Sequence, residues 1–93
     1  MSLKQNHPII SDVFVLLKTR LHGVLDVSDL SCRKEFHKIS DEYVFGIYRS
    51  YVLFYEHRVH KSRFSHCRTN EEFNVVKSQI VKEMADGVIL SLL

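Results

Sequence analysis

The sequence has no tryptophan, one proline (Pro8), three glycines (Gly23, Gly46, Gly87) and two cysteines (Cys32, Cys67). Each shortage excludes something. With so little glycine and proline, the regularly spaced turn signals of an all-β chain are missing. Two cysteines outside any C-x-x-C pair cannot frame a disulfide-rich secreted scaffold. They leave room for a single Cys32–Cys67 bridge, but a reducing, cytoplasmic setting is the expectation. No sign of charge dominates: 13 Lys and Arg face 11 Asp and Glu, a net charge of +2, too small to select a polyanionic partner by field alone. There is no long apolar run either. The most apolar stretch, 43–55, is 13 residues long and contains Arg49, whereas a bilayer span needs about 20 apolar residues. No basic segment followed by an apolar one marks a secretory leader.

What the chain does have is the composition of one small globule. Its 93 residues are 45% hydrophobic and 26% charged, which fits a single domain over 1–93 and excludes disordered or low-complexity classes. Residues 1–7 read as a tail outside the fold, disordered or left from expression.

Residues 8–25 have helical periodicity. Ile9, Ile10, Val13, Phe14, Leu16, Leu17, Leu21, Val24 and Leu25 fall on one arc, and Pro8 suits a helix start. In the middle, 43–55 is rich in Val, Ile, Tyr and Phe, as a strand pair would be. A two-residue turn at Arg49-Ser50 would then be needed, and such turns favour Asn-Gly. Against strands stands a spacing. Glu35, Glu42, Arg49, Glu56 and Arg63 recur every seven residues, nearly two helical turns, and form one thin polar stripe on a helix. The spacing predicts a helix over 29–62, or two helices if it breaks at Ser40-Asp41-Glu42. Thr69 and Glu72 match a capping box, and a third helix is expected over 70–92. The expected fold is therefore all-α, an antiparallel bundle of three long helices, or four with the break.

Four groups of residues invite a functional reading. Arg58, Lys61, Arg63 and Arg68 lie in a segment, 57–68, that has three histidines and no acid. They are candidates for binding nucleic acid or another polyanion, although basic residues at a helix end also simply complement its dipole. Glu56, His60, His66 and Cys67 supply carboxylate, imidazole and thiolate, the donors of a borderline metal such as zinc, but no zinc spacing is present and no metal or cofactor is expected. His22, His37 and Asp41 read as solvated surface. The fourth group is apolar: Tyr48, Tyr51 and Tyr55, which two flanking helices would not cover, and the unbroken end Ile89, Leu90, Leu92 and Leu93. Tyrosine is amphipathic and enriched at interfaces.

No Gly-rich phosphate loop, nucleophile elbow, H-E-x-x-H helix or framed Cys–His pair occurs, so no reaction is assigned. The leading expectation is a non-enzymatic domain for protein–protein association or oligomerisation, with protein partners: a homodimer or a larger parent assembly. A small nucleic-acid or polyanion binder using 57–68 is the alternative. No membrane span is expected.

Overall fold

The structure, a computed structural model, describes residues 12–92. The middle of the chain is a sheet, not a helix. Helix α1 covers Val13–Leu21. Three strands follow, β1 at Leu30–His37, β2 at Glu42–Arg49 and β3 at Val52–His60. A single 3₁₀ turn, Lys61–Phe64, leads to helix α2 at Asn70–Leu92. The strands form one antiparallel meander in the order β1-β2-β3. The fold is α+β, with both described helices on one face of the sheet, and the expected all-α bundle is overturned.

The expected helix over 29–62 fails for two physical reasons. First, β2 is buried from Val44 to Ile47 on both faces. A central strand whose side chains are buried on both faces reads as a continuous apolar run, and periodicity cannot tell it from a helix with a narrow polar stripe. Second, the seven-residue charge spacing has no helical origin. The turns between strands reset the side-chain phase, so residues seven apart need not alternate between faces. Glu35 lies opposite Val44, and Glu56 opposite Gly46. Arg49 sits at the strand end on Asp29, and Arg63 in the 3₁₀ turn on Glu83.

The expected helix over 8–25 shrinks to α1. Residues 8–11 lie outside the described residues, as do the tail 1–7 and Leu93. Beyond Leu21 the chain turns away, bonding Leu25 N to Leu21 O at 3.0 Å. Helix α2 has the bounds expected for the third helix, and its capping box forms in full. Glu72 N donates to Thr69 Oγ1 at 3.1 Å, and Thr69 N donates to Glu72 Oε1 at 3.0 Å, satisfying two otherwise orphan backbone donors.

One face of the sheet carries Leu30, Phe45, Ile47 and Val59, all buried. Against it lie Leu17 and Leu21 of α1 and Ile80, Met84 and Val88 of α2. Each of these side chains contributes about 1.5–3 kcal/mol by leaving water. Helix α2 packs on both α1 and β3. Lys77 of α2 is buried toward α1, where its Nζ lies 2.7 Å from Asp12 Oδ1. The two cysteines are both free. Cys67 is buried, and burial pushes the half-buried Cys32 thiol up to about 11. No described helix is long and apolar enough to cross a membrane.

Candidate functional site

The β2–β3 connection is a two-residue turn, but one residue later than the sequence suggests. Its central residues are Ser50 and Tyr51, with φ of 51° and 70°. Positive φ at both positions is the backbone of a type I′ turn, which matches the twist of paired strands. Asn-Gly adopts it without strain. A serine followed by a tyrosine holds it at a cost of about 1–3 kcal/mol per residue. The surroundings hold the turn in place. Arg49 Nε donates to Asp29 Oδ2 at 3.3 Å, and Ser50 N donates to Asp29 O at 3.4 Å. A bulge at Ile47/Tyr48 leaves Phe54 without a cross-strand partner, since Ile47 faces Tyr55 and Tyr48 faces Leu53.

The strained tip is apolar and open. Tyr51 is 96% exposed, Val52 65% and Leu53 45%. Helix α2 runs antiparallel to β3, as two correspondences show. His57 faces Glu83, and two residues toward the tip Tyr55 faces Gly87. The last turn of α2 therefore points to the hairpin end, and it presents Leu90 and Leu92, 69% and 41% exposed. One end of the domain thus presents exposed apolar side chains from two elements.

The tyrosines expected to share one face do not share it. Tyr51 is at the tip. Tyr48 is half-buried on the outer face of the sheet, opposite Leu53 and Ser31. Tyr55 is half-buried on the inner face against α2. Ile89 is likewise half-buried and packs on the core, unlike Leu90 and Leu92.

Tyr55 belongs to a chain of polar contacts with no counterpart in the sequence reading. Its Oη lies 2.8 Å from His57 Nδ1. With tyrosine as donor, the imidazole proton sits on Nε2, 3.5 Å from Glu83 Oε1. Arg63 donates to the same oxygen at 2.7 Å. Burial lowers the proton affinity of His57, and Glu83 only partly offsets that. The Arg63 guanidinium in turn holds the Glu83 carboxyl below its ordinary range. An alternation of Tyr55, His57 and Val59 on one strand face was the available signal, hidden by the helical reading.

The basic segment is largely paired within the fold. Arg58 lies 3.1 Å from Glu42 and 2.8 Å from Glu56, Lys61 lies 3.6 Å from Asp41, and Arg63 is on Glu83. Arg68 donates to Ser65 O at 3.2 Å. The metal candidates do not converge. Glu56 is on Arg58, His60 Nδ1 bonds Ser62, Cys67 is buried and His66 is exposed. Among the described residues no three His, Cys, Asp or Glu side chains could share an ion. His37, read from the sequence as solvated surface, is half-buried and pairs with Glu35 at 2.9 Å, a neighbour on the same strand face. His22 is exposed.

On the outer face, Arg33, Glu35, Glu56, Arg58, Tyr48 and Leu53 border an open trough of about 180 Å³ over Gly46. Both charge signs line it. No protein-family model, curated protein or solved structure matches the chain.

Proposed function

We propose that this chain is a non-enzymatic protein–protein association domain of the cytoplasm, and that the hairpin end is its docking surface. The carrying observation is Tyr51. A large aromatic side chain stands 96% exposed on a turn whose backbone it strains. Strain that the surrounding fold holds in place is typical of positions kept for contact rather than for stability. Val52, Leu53, Leu90 and Leu92 extend the apolar area beside it. Association is favoured over polyanion binding because Arg58, Lys61 and Arg63 already face Glu42, Glu56, Asp41 and Glu83.

The test is position-specific photo-crosslinking in the cells that make the protein. A benzoylphenylalanine replaces Tyr51 in one chain and the exposed Asn74 of α2 in another. A discrete protein adduct is expected from position 51, absent from position 74 and lost when Leu90→Asp and Leu92→Asp are added. Equal adducts from both positions, or none from position 51, would overturn the assignment.

A further inference from the structure

Two separate features of the surface fit each other. The first is the ring of Tyr51, which stands in solvent at the tip of the β2–β3 hairpin. The second is an open trough of about 230 Å³ between α1 and α2, lined by Leu16, Thr19, Arg20, Ser78 and Val81. All five lie within the described span of the two helices. Asn74, one turn before Ser78, stays outside the lining. An apolar cavity of ~150 Å³ takes up a benzene molecule, so the trough has room for one phenol ring.

The lining has the chemistry that a tyrosine needs. Leu16 and Val81 supply an apolar wall. Thr19 Oγ1 gives its proton to Val15 O at 2.9 Å, which leaves the oxygen free to accept from a phenol hydroxyl. Ser78 offers a second hydroxyl from the other helix. Arg20 is exposed, and a planar guanidinium lies readily over an aromatic face. Lys18 is already engaged, 5.1 Å above the ring of Phe14.

The charges agree in sign. At the tip, Asp29 accepts from Arg49, and Asp26 lies within the field of the same arginine. Two acids thus surround one cation there, while Arg20 borders the trough. The apolar rims agree as well. Val15 is exposed beside the trough, and Leu90 and Leu92 are exposed at the hairpin end. The trough on the outer face of the sheet is a poorer receptor. Glu35, Glu56 and Arg58 border it and are already bonded within the chain.

We infer that Tyr51 of one copy seats in the α1–α2 trough of a second copy, with Asp26 and Asp29 turned toward Arg20. This rests on the hairpin end being the docking surface, and it names what that surface docks on. Tip and trough are different patches, so the contact is head-to-tail and has no two-fold axis. A joined pair still offers one free trough and one free tip. Association therefore continues past the dimer until a ring closes or a filament grows.

The test is light-scattering mass over a dilution series of the full chain. The wild-type mass is expected to rise with concentration beyond that of a dimer. Tyr51→Asn accepts the positive φ but lacks the ring, and it should raise the dissociation constant about thirtyfold, as loss of a hot-spot aromatic does. Arg20→Glu/Ser78→Glu should do the same from the trough side. Both of those side chains are exposed, so far-UV dichroism should stay at the wild-type value. Each variant alone is then monomeric where the wild type assembles. Mixed, they should form a heterodimer and nothing larger, because one keeps only its trough and the other only its tip. A mixture that stays monomeric would overturn the inference. So would a trough variant that assembles like the wild type, since the tip would then meet another surface. A wild type that is monomeric at every concentration also overturns it. If position 51 still crosslinks to a different protein in that case, the docking reading stands without this one.

Discussion

The ring of Tyr55 lies directly on the backbone of Gly87, so close that a Cβ built on Gly87 would overlap the ring and its hydroxyl. A glycine inside a helix ordinarily costs about 1 kcal/mol relative to alanine. At position 87 that cost is offset by the close approach of β3 to α2. Gly87→Ala is therefore expected to destabilise the protein by about 1–3 kcal/mol, the range for overpacking, despite better helix propensity. In a Tyr55→Ala background the same change should become stabilising. Urea denaturation of the four variants measures the reversal of sign.

The Ser50-Tyr51 turn should respond in the opposite sense to its use. Replacing the pair by Asn-Gly supplies residues that accept positive φ. The expected gain is about 1–2 kcal/mol per residue. Photo-crosslinking from the adjacent position 52 should fall at the same time. A variant that gains stability and keeps its adducts would remove Tyr51 from the docking surface.

The pH dependence follows from His57 and Glu83. Burial lowers the proton affinity of His57 in the fold, so below pH ~6.5 the unfolded chain takes up the proton first. Stability is full above that pH and declines as the pH falls below it. The Glu83 carboxyl is held low chiefly by Arg63, so its contribution is present above the ordinary carboxyl range and is lost as pH falls through its lowered folded value. Acid unfolding should thus begin near pH 6 and steepen below pH ~4.5. His57→Gln should remove the first stage and leave the second. Thermal melts between pH 4 and 8 would show it.

Lys77 and Asp12 make an unequal pair. The lysine side chain is 10% exposed and the aspartate 51%. Asp12→Ala leaves a buried ammonium without its partner and should cost about 1–3 kcal/mol. Lys77→Met removes the buried charge altogether and should cost less. Equal losses would mean that Lys77 has found another acceptor.

Legibility in the sequence divided along physical lines. Helix α2 was readable from Asn70 to Leu92 because its signals are local: Thr69 and Glu72 three positions apart, then an apolar arc through Val76, Ile80, Met84 and Val88. The sheet was not, because its signals are not local. The turn Ser50-Tyr51 has the wrong residues for its shape, and Asp41 takes a φ of 56° in the other connection without a glycine to announce it. Both turns are held by contacts that no spacing shows, Asp29 on Ser50 and Arg49, and Asp41 O accepting from Lys61 N. The apolar end fared differently residue by residue. Tyr51, Leu90 and Leu92 are open to solvent, whereas Tyr55 and Ile89 turn inward, because which tyrosine faces out depends on the strand phase that the helical reading replaced.

The position of α2 after the meander also sets an order of events during synthesis. All three strands leave the ribosome before the helix that supplies Ile80, Met84 and Val88. At about 5–20 residues per second, the apolar face of Phe45, Ile47 and Val59 waits for seconds before α2 can cover it. In that interval the nascent sheet has one apolar face that α2 has not yet covered. A holdase or a neighbouring nascent copy would meet it in its stickiest form, and slowing translation across 61–92 should raise the yield of aggregate more than slowing it anywhere earlier.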